Sequence, residues 1–307
     1  MSAENKVSDF ITSLFRGVRS DHLKHFRFAL EEWHELQPLL GDVARFRVVV
    51  DTNVVLGDLL WLCKKRKNEE AKTSLLEVIE AETIEAYAPP ALIKEVEEKL
   101  PYVSKKRKVD IEKLQAQWET YKTKLTIQEP EPASVKSLQQ GVDPDDAFFI
   151  SLAEDISAHG VVSKDHHIGM MGGNWITVEC VTSLRNYSRA ISVNMSIKVS
   201  GVALTGVAIE SIRHVVLGIK TLAAAISRAP DWVKIALVAG SLFVALHPGA
   251  RAKAIQWVKS AITGIKDVTP YIAEHIAEAA VLSEKHGTEA KVHLEKAMTQ
   301  LDRNREG

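Results

Sequence analysis

The sequence predicts an α/β fold, a three-layer α/β/α domain built around a central parallel sheet. Apolar, β-branched runs at 46–50, 84–88 and 160–163 are typical of short buried strands. The segments 70–82 and 90–100 between them carry apolar residues at helical spacing. Strands that alternate with helices are joined by crossover connections, and such strands form a parallel sheet covered on both faces.

The remaining elements of this domain follow from the same patterns. Further helices are expected at 103–124, after a break near Leu100, and at 144–159. The segment 176–180 is a candidate for another strand, and the proline-rich segment 129–132 is expected to be a loop.

Three parts are predicted along the 307 residues. Residues 1–44 form an N-terminal helical extension with two helices, residues 45–190 form the α/β domain, and residues 195–307 form an all-α C-terminal domain for oligomerisation or partner binding. The uncharged stretch 235–246 is too short for a membrane span, which needs about 20 residues. A buried hairpin or an oligomer contact is expected there instead of membrane contact.

Composition limits the cellular setting. Apolar residues make up 46% of the chain and charged residues 26%, as in soluble globular proteins. The net charge is −1, so binding to nucleic acid would depend on local basic patches. Cys63 and Cys180 lack the spacing of a disulfide framework or a zinc site. With no secretory signal at the N-terminus, a cytoplasmic protein is expected.

Four carboxylates occur on elements that the predicted sheet would bring together. Asp51 and Asp165 each follow a strand, and Asp146 lies in the first turn of a helix that packs beside those strands. Glu95 lies on the helix that begins at Pro90. In an open parallel sheet, ligands bind at the carboxyl ends of the strands. Clustered carboxylates need divalent cations such as Mg²⁺ or Mn²⁺, and these ions support phosphate chemistry.

Each acid also has a purely structural explanation. Asp51 and Asp146 can cap the helices that follow them. Glu95 can lie on a solvated helix face, and Asp165 can be a turn residue. The order of the four acids along the chain, on elements that converge, favours a common site.

Four motifs resemble the PIN-domain ribonucleases, over about residues 45–185: VVVDTNVVL at 48–56, LIKEV at 92–96, DPDDAFFISLA at 143–153 and VVSKDHHI at 161–168. The resemblance implies Asp51, Glu95, Asp146 and Asp165 as catalytic metal ligands, Asp143 as an additional ligand, and Asn53 and Ser163 as supporting polar residues. The separation of Glu95 from Asp146 is longer than in the toxin-type members, which argues against that branch.

The activity implied by the resemblance is hydrolysis of single-stranded RNA by a metal-activated water, with Mg²⁺ or Mn²⁺ as cofactor. Two basic runs are candidate phosphate contacts, although solvated helix faces explain them equally well: Lys64, Lys65 and Arg66 in the first, and Lys105, Lys106 and Arg107 in the second. His166 and His167 are predicted to be an exposed turn pair and not ligands.

Other functions remain open at this point. A haloacid-dehalogenase-type phosphatase needs a second acid two residues after the first, where this chain has Asn53. A non-catalytic scaffold on the same fold is a second alternative. A third is a toxin or defence effector whose segment 195–307 binds a protein partner, self-associates or touches membrane.

Overall fold

The computed structural model describes residues 23–32, 43–64, 70–139, 143–206 and 269–306. Several predicted features lie outside these residues, namely the first N-terminal helix, the stretch 235–246, and Lys65 and Arg66. The chain divides into two compact units, one comprising 1–43 and 188–291 and the other 44–187 and 292–307. The three-part division made from the sequence stays a prediction.

The five strands of the described residues form one sheet. Its order is β3-β2-β1-β4-β5, and every neighbouring pair is parallel. The strands are β1 Phe46–Val50, β2 Ile84–Ala88, β3 Thr126–Ile127, β4 Val161–Val162 and β5 Trp175–Ile176. The predicted α/β fold with a parallel sheet and flanking helices is confirmed.

Ten helices are present in the described part of the chain. Before β4 they are α1 Leu23–Glu32, α2 Thr52–Cys63, α3 Ser74–Glu80, α4 Pro90–Arg107, α5 Ile111–Lys122, α6 Pro132–Leu138 and α7 Ala147–Asp155. After β4 come α8 His167–Met170, α9 Val178–Gly206 and α10 Thr269–Glu306.

The central strand β1 fixes where the functional edge of the sheet lies. Val48, Val49 and Val50 are buried, as expected for a strand covered on both faces. The chain leaves β1 towards β2 on one side and later returns to β4 on the other side. Ligands bind at such a switch in strand order. The Asp51 N–H donates to Val162 O at 3.0 Å, so the ends of β1 and β4 lie side by side.

The break between the two long helices lies later than predicted. Helix α4 continues through Pro101 to Arg107. Pro101 is exposed, so water can satisfy the carbonyl that loses its backbone bond there. The break occurs where Lys108 adopts a left-handed conformation (φ 53°) and Asp110 caps α5 by accepting from Glu112 N at 2.9 Å.

Three other boundaries also differ from the sequence prediction. Helix α7 begins at Ala147 and not at 144, because the preceding residues form a turn in which Asp146 N donates to Asp143 O at 3.2 Å. The last strand ends at Ile176, since α9 begins at Val178. Both β3 and α6 fall in or near a segment predicted to be a loop.

Within the other unit, α9 and α10 are joined through a buried amide. Asn194 Nδ2 donates to Ser283 O, and it lies 3.2 Å from Ser283 Oγ. Arg27 of α1 donates to Val43 O at 3.0 Å. No helix among the described residues combines the length and apolar character needed to cross a membrane.

A polar cluster ties three helical segments together inside the α/β unit. The Asp58 carboxylate on α2 accepts from Thr73 Oγ1 at 2.6 Å and from Tyr121 Oη at 3.1 Å. Burial raises the pKa of Asp58 despite these two hydrogen bonds. Tyr121 is almost fully buried on α5, which packs against α2. The cluster therefore fixes the direction of α2 relative to α5.

Tyr121→Phe is expected to lower the free energy of unfolding by about 1 kcal/mol, because Asp58 loses one of its two hydroxyl donors. Urea denaturation of both proteins would measure the change. The matched control is Tyr102→Phe, since Tyr102 is 62% exposed, and this variant should unfold like the wild type. Equal stability of all three proteins would contradict a structural role for the cluster.

Candidate active site

Asp51 lies at the junction of β1 and α2 and is 4% exposed. Its carboxylate accepts from Ser163 Oγ at 2.6 Å and from the Asn53 backbone N–H and side-chain amide, both at 3.4 Å. Burial raises the pKa of Asp51, and the hydrogen bonds from Ser163 and Asn53 oppose that rise. Asp51 therefore caps α2 and also points an acidic group into the edge of the sheet.

Ser163 connects the ends of the two central strands. Its hydroxyl donates to Asp51 and accepts from the Asp165 backbone N–H at 2.8 Å. Trp175 Nε1 donates to Ser163 O at 2.9 Å, and Ser163 N donates to Ile176 O at 3.2 Å. The loop that carries Asp165 is thus held in place on both sides.

Asp146 is the most perturbed acid of the group. Burial and, to a smaller extent, the neighbouring charges of Asp143, Asp51 and Asp165 together raise its pKa to about 7, while His167 opposes the rise. Its side chain makes no capping bond to α7. The carboxylate is therefore not used as a helix cap and is available to a ligand.

Asp143 and Asp165 each also shape a turn. Asp143 Oδ1 accepts from Asp145 N at 3.0 Å, and Asp165 Oδ1 accepts from His167 N at 3.1 Å. Both carboxylates raise the pKa of Asp146, so they lie close enough to act on it. The turn-residue explanation for Asp165 is thus compatible with a place in the cluster.

Glu95 lies on α4, next to the start of α2. Thr52 Oγ1 donates to Glu95 Oε2 at 2.5 Å, and Lys99 forms an ion pair with Oε1. The Glu95 charge also raises the pKa of Asp51, so this acid belongs to the same electrostatic group. Asp51 thus lies between Glu95 on one side and Asp146 on the other, and its carboxylate is bonded by Asn53 and Ser163.

The two histidines differ in their surroundings. The side chain of His166 is 67% exposed and that of His167 is 33% exposed. His167 Nδ1 lies 3.4 Å from Asp165 Oδ1 without hydrogen-bond geometry, and it is a buried nitrogen that makes no hydrogen bond. The expectation of an equally exposed turn pair is corrected for His167, which faces the acids.

A divalent cation fits this arrangement. Ligand atoms of Asp143, Asp146 and His167 all lie within 4.8 Å of one another, and those of Asp165, His166 and His167 do so as well. A cation there would relieve the repulsion among the acids and give a partner to the unbonded His167 nitrogen. Oxygen-rich sites of this kind suit Mg²⁺ or Mn²⁺.

The predicted nucleic-acid contacts are only partly brought together. Lys64 and Arg107 line one cleft, which also contains Trp61, Lys108 and Lys113. Lys105 and Lys106 are exposed but do not line it, and Lys106 Nζ lies 5.2 Å from the centre of the Tyr102 ring.

Sequence reasoning passed over four side chains that act at these two places: Thr52, Lys164, Trp61 and Lys113. Thr52 stands beside Asp51 in the motif and bonds Glu95. Lys164 stands beside Asp165, and its Nζ lies 3.5 Å from Asn53 O. These two were detectable as polar neighbours of predicted ligands. Trp61 and Lys113 carry no local signal, because their proximity depends on the packing of α2 with α5.

Comparison with known proteins gives one result for this fold and site. Residues 47–167 match the family model described as PIN domain. Searches of curated proteins and of solved structures gave no match. The matched segment includes β1, β2, β4 and all five acids of the cluster. PIN domains are generally nucleases. Residues 47–167 of this chain therefore form a PIN domain.

Proposed function

We propose that this PIN domain is a metal-dependent endoribonuclease that hydrolyses phosphodiester bonds of single-stranded RNA. The observation that carries the proposal is the convergence of Asp51, Asp143, Asp146 and Asp165 beside the carboxyl ends of β1 and β4, where their crowding contributes to a pKa of about 7 for Asp146. Carboxylate oxygens of this kind are the ligands that hard divalent cations prefer. The preference for RNA is proposed from the resemblance to PIN-domain ribonucleases.

In this proposal, the cation is held by Asp143, Asp146 and Asp165, together with Asp51 at the end of the neighbouring strand β1. A bound Mg²⁺ or Mn²⁺ would lower the pKa of a water molecule and stabilise charge on the phosphodiester oxygens. Ser163 and Asn53 keep the Asp51 carboxylate in a fixed orientation through their hydrogen bonds.

Glu95 has a separate part in the site. One of its oxygens is held by Thr52, and the other pairs with the half-exposed Lys99. Exposed ion pairs are weak, so Lys99 can leave this oxygen when a cation or substrate phosphate approaches. Glu95 thus completes the acidic set from the β2 side of the sheet.

Asp146→Asn is expected to reduce cleavage of labelled single-stranded RNA at least a hundredfold, about the size of a lost electrostatic contact in a catalytic site. Wild type and variant would be compared with Mn²⁺, with Mg²⁺ and with EDTA. Asp145→Asn is the matched control, because Asp145 is an exposed neighbour outside the cluster. If the wild type cuts none of a varied set of RNAs with either metal, the non-catalytic scaffold becomes the better explanation.

Asp146→Asn is also expected to stabilise the metal-free protein above pH 7. The pKa of Asp146 is raised in the fold, so its contribution to stability is fully present below the unfolded value near 3.8 and is lost as pH rises through about 7. The carboxyl is only partly buried, and with screening the gain should be about 1 kcal/mol. Thermal unfolding in EDTA at pH 5 and pH 8 would measure it.

The two proteins should unfold more nearly alike at pH 5 than at pH 8. Added Mn²⁺ should reverse the order at pH 8, because only the wild type gains a ligand for the cation. A variant that is less stable than the wild type at pH 8 in EDTA would contradict the repulsion assigned to Asp146.

Ser163→Ala is expected to move the acidic limb of the pH profile of cleavage to higher pH. The hydrogen bond from Ser163 lowers the pKa of Asp51, so its removal leaves more Asp51 protonated at a given pH. Initial rates across a pH series at saturating Mn²⁺ would show the shift. Ser137→Ala, at an exposed serine of α6, should leave the profile unchanged. If the cleavage rate of Ser163→Ala falls by the same factor at every pH and the profile does not shift, Ser163 supports the fold and does not control the pKa of Asp51.

A further inference from the structure

We propose that the substrate strand runs from the acidic cluster along the exposed side of α2 and stacks a base on Trp61, in a basic cleft beyond the catalytic centre. The inference rests on the proposed function, and it adds a second contact point for the same strand. The cleft lies between the C-terminal half of α2 and the junction of α4 with α5, and it has a volume of about 750 Å³.

The walls of the cleft combine an aromatic surface with positive charge. Trp61 is 37% exposed and is flanked by Leu60 and Val109. Four cations surround this surface: Lys64, Arg107, Lys108 and Lys113. Single-stranded nucleic acids are bound by this combination, in which bases stack on aromatic rings and cations neutralise the phosphates.

The cations of the cleft are not committed to acids of the described residues. None of the four makes an ion pair there. Among the described residues that line the cleft, the acid is Asp110, and it is engaged as the cap of α5. The described lining thus carries four positive charges and one negative charge, which give it a positive field although the whole chain has a net charge of −1.

Helix stabilisation alone does not explain these positions. Arg107 lies in the last turn of α4, where a cation is favourable. Lys113, however, lies in the first turn of α5, where the helix dipole disfavours positive charge. Lys108 has a left-handed backbone (φ 53°, ψ 46°), a conformation in which glycine is preferred.

The cleft and Asp51 lie towards opposite ends of the same helix, α2. Asn53, Gly57 and Trp61 follow one another at spacings of four, so they lie on one side of α2, and Lys64 directly follows the helix. Lys164 extends over this side, where its Nζ approaches Asn53 O and would overlap a side chain at position 57. Trp61 is ten residues from Asp51, about 15 Å along the helix. That length equals roughly four stacked nucleotides.

The test is binding of a labelled single-stranded RNA of about 12 nucleotides to the full chain in EDTA, on the Asp146→Asn background, by fluorescence anisotropy. Trp61→Ala should weaken binding about fivefold to a hundredfold, the range for loss of one base stack, and Trp61→Phe should restore most of it. The same DNA sequence should respond alike, because stacking and phosphate contacts do not use the 2′-hydroxyl.

Lys108→Gly separates binding from folding. Glycine relieves the left-handed backbone, so this variant should melt at the wild-type temperature or higher while binding the long RNA more weakly and with a smaller salt dependence. Lys136→Ala, at an exposed lysine outside the cleft, is the charge-matched control and should keep most of the affinity.

The inference and the proposed function fail in different ways. RNA cleavage by the wild type with no effect of Trp61→Ala or Lys108→Gly on binding would overturn the strand path and leave the nuclease in place. Weakened binding by both variants without cleavage by the wild type would support the strand path and remove the nuclease. No binding of RNA or DNA at low salt would overturn the strand path.

Discussion

Crowding of like charge at the carboxyl ends of β1 and β4 is the constraint on which the rest of this domain depends. Asp51, Asp143, Asp146 and Asp165 act on one another there, and the pKa of Asp146 rises to about 7 as a result of burial and this repulsion. A fold can keep such a group only if rigid elements around it supply the stability that the acids remove. The buried strand β1 and its parallel neighbours supply it.

Asp51 connects the acidic cluster to the helices, because it belongs to the cluster and also caps α2. Asp51 ends β1, caps α2 and accepts the Ser163 hydroxyl, so its carboxylate is stabilised at the positive end of a helix while it faces the other acids. The capping and catalytic explanations for Asp51 are therefore not alternatives. Because the same residue starts α2, the direction of that helix is set at the acidic edge, and the Asp58–Tyr121 bond fixes it again about two turns later.

The features of the fold that depend on a local sequence pattern were predicted correctly. The bounds of β1 and β2 were correct, because each is a short apolar run with clear ends, and the acids could be ordered along the sheet by the position of strands. The break at Lys108 was missed, because Pro101 is a stronger local signal than a lysine in a left-handed conformation. The orientation of His167 and the position of Trp61 beside Lys113 depend on tertiary packing, which a single sequence does not carry.

Although the chain is nearly neutral overall, its α/β domain carries an acidic cluster and a basic cleft, and the electric fields of these two sites have opposite sign. In the proposed scheme, the acidic cluster would repel RNA phosphates when no cation is bound, whereas the cleft around Trp61 would attract them. Their separation of about 15 Å along α2 exceeds the screening length of about 8 Å at physiological salt, so the two fields act largely independently. In the proposed scheme, a strand can then be held at the cleft with or without a cation, while its approach to the acids depends on one. The cation would thereby control the position of the scissile phosphate as well as the chemistry.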